Sequence, residues 1–237
     1  MPSSVPPIDL SALSEDDLRT LQSAGYEVAE CVRVLRKANL NVVGEVLKGQ
    51  GKFVRLTHFP QGDVYDRETH AQYYYHAHRN GEHGHFHLFL RASGMPPGCA
   101  PVPEASGRGW PKGDQALSHL VAISMDRFGK PTGMFTTNRW VTAETWYPGK
   151  DVVRMLPHFA IDHAFPSWPT NRWLTAMVCL FRPQIEGLVK ARDAALAARR
   201  KAFSDRDVFE DREFEVLSEI DIDVEAQMTA IEQALAR

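Results

Sequence analysis

The stretch from Gln72 to Arg91 constrains this chain most. Two runs alternating with a period of two flank Asn80-Gly81, the dipeptide most strongly associated with a two-residue β-hairpin loop. Such a loop fixes the register. Arg79 falls opposite Glu82, His78 opposite His83, Ala77 opposite Gly84, His76 opposite His85, Tyr75 opposite Phe86 and Tyr74 opposite His87. Successive side chains then take opposite faces, so Tyr74, His76, His78, His83, His85 and His87 share one side, and Tyr73, Tyr75, Ala77, Phe86 and Leu88 share the other. A one-residue slip would mix the two sets, so composition and register agree.

The chain has ten histidines, six of them between His70 and His87. Directly opposed residues have Cβ atoms about 5 Å apart, close enough for imidazole nitrogens to converge on one ion at about 2.0–2.1 Å. Two histidines spaced H-x-H, with a third from the neighbouring strand, give an open three-histidine site. The strand pair is His76 with His78 or His85 with His87, and His83 is a further candidate ligand. An all-imidazole shell points to a divalent transition metal: iron by preference, with zinc or copper as alternatives, and not calcium or magnesium. Tyr74, Glu82 and Asp66 are the candidate catalytic side chains, and His58, His70, His119 and Asp63 are supporting candidates from neighbouring segments. Two metal-free readings stand beside this one: direct binding of an anionic or aromatic ligand, and a histidine cluster acting as a pH switch.

The flanking sequence supplies the frame. Ser14, with Asp17 three residues on, begins a helix whose stripe is Leu18, Leu21, Gly25, Val28, Val32 and Leu35, and a shorter helix follows from Val42 to Lys48. Lys52–Phe59 reads as a strand and Pro60–Asp63 as a turn. Ala92–Gln115 is a Gly/Pro-rich loop carrying Trp110 and Lys112 that suits a lid over the histidines. His119–Met125 and Met134–Thr137 read as paired strands, and Pro157–Phe165 as a helix in which His158 and Asp162 share a face. A later helical stripe runs through Pro183, which should break it. Phe214–Val224 fits either a strand or a helix, and Glu225–Leu235 a helix. The expected fold is therefore α+β, a small antiparallel sheet built on the hairpin and flanked by N-terminal and C-terminal helices. Residues 1–13 read as a flexible N-terminus and 14–237 as one domain, with helices over 14–49, a sheet region over 52–137 and a helical region over 138–237.

One segment repeats. Thr137-Asn-Arg-Trp-Val-Thr-Ala143 recurs as Thr170-Asn-Arg-Trp-Leu-Thr-Ala176. Each copy reads as a capped helix start, either structural or a place where Arg139 and Arg172, with His119 nearby, meet an anionic substrate.

Net charge is −3, with 27 basic and 30 acidic side chains, which speaks against a nucleic-acid binder. Cys31, Cys99 and Cys179 form no C-x-x-C pair, the N-terminus has no secretory pattern and no apolar run suits a membrane span, so the expectation is a cytoplasmic protein acting on a small molecule.

The string His76, His78, Glu82 is similar to the metal motif of the cupin barrels, although the flanking glycines are missing and the long helical segments do not suit a barrel. The hairpin Tyr73–His87, the segment Phe59–Asp66 and the two Asn-Arg-Trp segments together resemble an uncharacterised bacterial family known as a domain of unknown function, over about residues 15 to 235. That resemblance implies no activity. From the residues, the expected function is a metal-dependent enzyme, a non-haem iron oxidoreductase by preference and a hydrolase or lyase with zinc. The alternatives are a metal chaperone, sensor or storage protein, or a metal-free anion or nucleotide binder.

Overall fold

The computed structural model describes residues 3–79 and 81–237. Its centre is one mixed sheet. Strands β2 (Phe59–Tyr65), β3 (Ala71–His76), β4 (Gly84–Arg91), β5 (Leu117–Met125), β6 (Pro131–Thr137) and β7 (Val216–Asp221) lie side by side in chain order, all antiparallel. Two residues, β1 (Ser3–Ser4), add to the β7 edge in parallel. The first residues, read as a tail, thus extend the sheet, and Leu10 behind them is buried.

Helices cover one face. α1 (Glu15–Lys37) starts where the Ser14 hydroxyl accepts the Asp17 N–H at 3.1 Å, with three acids in its first turn and Arg36 and Lys37 in its last, as the helix dipole favours. Its apolar stripe is buried against α5 (Trp168–Leu180) and α7 (Val224–Leu235). Gly25 makes room there for Met228, whose Sδ lies 1.8 Å from where a Cβ would stand. α2 (Val42–Leu47) is capped by Asn41, and α3 (Arg139–Thr142) and α4 (Gly149–Met155) are short. α5 stops at Leu180 and α6 (Arg182–Ala202) restarts with Pro183 in its first turn, where a missing N–H costs nothing. Tyr73, Tyr75, Phe86 and Leu88 point into this layer, and Trp173 of α5 packs on Phe86.

The central hairpin has the expected register: Tyr74 faces His87, Tyr75 faces Phe86 and His76 faces His85. Asn80 of the turn lies outside the described residues. Several other expectations change. Of the expected Lys52–Phe59 strand, residues 52–58 form an exposed irregular segment, and only Phe59 is in a strand, as the first residue of β2. Pro60–Asp63 does carry turn chemistry, with Gly62 and Asp63 at φ 86 and 60, but it forms a bulge inside β2. Only a one-turn 3₁₀ helix, Leu156–His158, forms in the expected Pro157–Phe165 helix. Phe214–Val224 resolves as β7. The Ala92–Gln115 loop is docked on its own partners: Trp110 packs on Phe209 and beneath Arg139, and Lys112 donates to the Ser106 carbonyl.

Both copies of the repeat are structural. Asn138 caps α3 through the Arg139 N–H at 2.8 Å and donates to the Val208 carbonyl at 2.7 Å. Asn171 instead lies inside α5, where it accepts from the Tyr73 hydroxyl at 2.6 Å and donates to the His163 and Phe165 carbonyls. Each is a buried amide stitching a loop to the sheet. Asn138→Ala leaves two buried backbone groups unpaired and is expected to cost about 2 kcal/mol. A urea midpoint unchanged from the natural protein would contradict this. No helix among the described residues is long and apolar enough to cross a membrane.

Candidate metal centre

The face of the sheet away from the helices carries the site. His76 ends β3, His85 and His87 alternate on β4, and all three are buried, with His85 and His87 fully so. One ring nitrogen from each lies within 4.8 Å of the others. His76 Nε2 and His85 Nε2 are 2.8 Å apart, and the three rings meet edge to face at centroid separations of 4.5 to 5.0 Å. These three side chains can hold a metal ion.

Their outer nitrogens are held from behind. Glu82 contacts His85 Nδ1, and an ionised carboxylate only accepts, so His85 carries its proton on Nδ1 and leaves Nε2 bare. His87 Nδ1 meets His119 Nε2 at 2.9 Å, and His119 is itself hydrogen-bonded to the Val121 backbone. This chain leaves Nε2 of His87 as the free atom. It is buried and has no hydrogen-bond partner among the described residues. Such outer partners fix tautomer and ring orientation in metal sites. Between the two Nε2 atoms of His76 and His85 sits one proton, donated by His76, or a cation in its place.

Burial favours the neutral forms of His76, His87 and His119. It pushes the His76 imidazole down to about 2, helped by His85, His78 and His58, and holds His87 well below the usual imidazole range, with His85 and His119 adding to the effect. His119 is pushed to about 3 by burial and then by Arg192. Burial alone would raise Glu82, but the hydrogen bond from His85, with smaller help from Ser124 and Arg79, keeps the carboxyl below its ordinary value. Glu144, fully buried, moves up to about 7 because burial outweighs Arg192 and the His119 N–H donated to its Oε2.

The remaining expected residues separate into three groups. His78 stays beside the triad, half-buried, with its ring 4.9 Å from His76 and 5.0 Å from His85. Tyr74 forms a wall of the site between His76 and His87. His58 stacks on Tyr74 at 3.6 Å, approaches His76 edge-on and is held by Asp63 at 3.1 Å, a pairing that the β2 bulge creates. His83, by contrast, is on the other face. The ladder ends at His76 and His85, and the freed His83 meets the Tyr75 hydroxyl at 2.7 Å and stacks on Phe53. Asp66 is also elsewhere: its carboxylate accepts the N–H groups of Glu68, Thr69 and Asp162 and closes a turn. The same Asp162 accepts from the Trp168 indole, so it forms no helical pair with His158. His70 bonds the Tyr65 hydroxyl on the edge of the sheet.

Both arginines are paired within the protein. Arg139 is buried against Glu210, the Gly109 carbonyl and the Trp110 ring, and Arg172 pairs with Glu27 at 2.5 Å. One basic residue at the site had no signal in the sequence. Arg79, released by the early end of the ladder, crosses to Phe135, 4.2 Å from its ring, and pairs with Glu219 at 3.0 Å. It reaches β6 and β7, contacts too distant along the chain for local patterning to show.

Neither a curated protein nor a solved structure matches the chain. A family model does, over residues 22–222, and the chain belongs to the family described as Domain of unknown function (DUF6969).

Proposed function

We propose that His76, His85 and His87 hold one divalent transition metal through their Nε2 atoms, and that the chain is a metal-dependent enzyme acting on a small molecule at the ion's outer side. The observation that carries this is the orphaned His87 Nε2. A buried imidazole nitrogen without a partner costs about 1–3 kcal/mol, and here it lies beside two more imidazoles whose Nε2 atoms already face each other. A cation satisfies all three at once.

Three protein ligands leave coordination positions for water or substrate, as in catalytic rather than closed structural sites. His78, Tyr74 and the His58–Asp63 pair supply the polar groups around that opening. An imidazole set with no thiolate suits iron, zinc, copper or nickel, and iron is the leading assignment, with oxidative chemistry as its consequence. Zinc would instead activate a water for hydrolysis.

The test is elemental mass spectrometry on untagged full-length protein purified without chelators, beside His85→Ala. Near-stoichiometric metal is expected in the natural chain and almost none in the variant, with far-UV circular dichroism unchanged. Iron or copper then directs assays to oxygen consumption, and zinc to hydrolysis. A natural chain that is metal-free and takes up none of Fe²⁺, Zn²⁺ or Cu²⁺ overturns the proposal.

A further inference from the structure

A cavity lies on the opposite side of the sheet from the histidines. It has a volume of about 800 Å³, within the range of sites that hold a small molecule. Its accessible apolar surface comes from half-buried Val32, Leu40 and Val224 and from exposed Phe128, with Val28, Leu35, Val42 and Trp173 almost wholly buried beneath. The cavity is therefore a cleft between α1, the start of α7 and the β5–β6 turn. The β5–β6 turn closes one wall. Gly129 there packs so tightly on Asn41 that a Cβ would lie 2.6 Å from its Oδ1, and Phe128 beside it stands 69% exposed at the mouth.

The mouth is basic. Arg33, Arg36 and Lys37 of α1 and Lys130 of the turn line it, against Asp126 and Glu225. Asp126 is committed to its own turn, accepting the N–H groups of Phe128 and Lys130 at 2.8 Å. Arg33 and Lys130 pair with Glu30 and Asp223 in solvent, where such pairs contribute little and exchange readily. No ion pair among the described residues engages Arg36 or Lys37. The dipole of α1 accounts for cations in its last turn, but not for Arg33 one turn earlier or for Lys130 on another element.

An apolar cleft with a cationic rim is complementary to a molecule with one anionic end and a long apolar body. We propose that this cleft binds an unbranched fatty carboxylate, its chain on Val32, Leu40, Val224 and Phe128 and its head group at Arg36 and Lys37. The site is separate from the metal centre and independent of that reading.

Isothermal titration calorimetry of the full chain with dodecanoate, below its micelle concentration, tests this. Saturable one-to-one binding is expected, with dodecyltrimethylammonium at least about tenfold weaker because its head meets the wrong charge. The double variant Arg36→Glu, Lys37→Glu is expected to lose about tenfold or more in dodecanoate affinity. Val32→Trp, which fills the cavity from its half-buried wall, should abolish binding. Equal affinity for the cationic amphiphile, no saturable heat, or binding untouched by the charge-reversed pair each overturns the proposal. The charge-reversed pair lies on the exposed end of α1, so its folding does not depend on the packing that Val32→Trp disturbs.

Discussion

Metal-free protein is expected to lose about 3–4 kcal/mol of folding stability between pH 7 and pH 5, a large part of the roughly 5–15 kcal/mol that holds a domain together. His76, His87 and His119 all have folded values far below the ordinary imidazole value near 6.5. Unfolding frees them to bind protons, so the unfolded state holds more protons below that value. Stability then rises with pH and is lost as pH falls through about 6.5. Each histidine accounts for about 2 kcal/mol over this interval, or about 6 kcal/mol together. Glu144 opposes them. Its folded value near 7 lies above its unfolded one near 4.5, so the folded state is the more protonated, and its contribution, complete below 4.5, is lost as pH rises through 7. That returns about 2 kcal/mol on acidification. Three histidines outweigh one carboxyl, and the net effect is destabilisation by acid. Urea titrations of chelator-treated protein at the two pH values measure it directly. Glu144→Gln removes the opposing proton and should steepen the loss. Equal midpoints at pH 7 and pH 5 would mean that the histidines are not held neutral in the fold.

The sheet, the hairpin register and the clustering of histidines on one face were legible because each is a local property of alternation and loop length, whereas which three of them converge was not. Tyr74 opposite His87 and His76 opposite His85 follow from a two-residue loop. The α5–α6 junction follows from Pro183, and the α1 start from Ser14. What local pattern could not supply was where alternation stops. His83 has the parity of His85, but it lies one residue before β4, where the Tyr75 hydroxyl and the Phe53 ring compete for it successfully. Pro60–Asp63 carries residues that serve a turn and a bulge equally well, and only the long-range pairing of β2 with β3 decides between them. Arg139 and Arg172 looked available because their carboxylate partners, Glu210 and Glu27, lie 71 and 145 residues away. The Ala92–Gln115 loop had its proline and glycine content read correctly as irregular, but its docking site, around Trp146 and Phe209, comes from segments far along the chain.

Saturating metal is expected to raise stability at pH 7 by about 4 kcal/mol when free metal stands about a thousandfold above its Kd, because the folded chain alone assembles the three ligands. Glu82 sets how large this gain is. Its carboxylate holds the Nδ1 proton of His85 and, by partly withdrawing it, makes the opposite nitrogen a better donor to a cation. Glu82→Gln can keep an oxygen on that N–H, so the ring stays in place, but the charge is gone. Metal affinity should fall about 10- to 100-fold, which removes about 1–3 kcal/mol of the gain at fixed metal concentration. Removal of the His85 ring acts differently, since it deletes a ligand and should abolish the metal-dependent gain. Urea unfolding of the natural chain, Glu82→Gln and His85→Ala, with and without Zn²⁺, separates the two effects. The natural chain should gain most, the glutamine variant an intermediate amount and the alanine variant almost nothing. An equal gain for Glu82→Gln and the natural chain would show that the carboxylate only shapes the hairpin tip. A gain retained by His85→Ala would place the ion elsewhere.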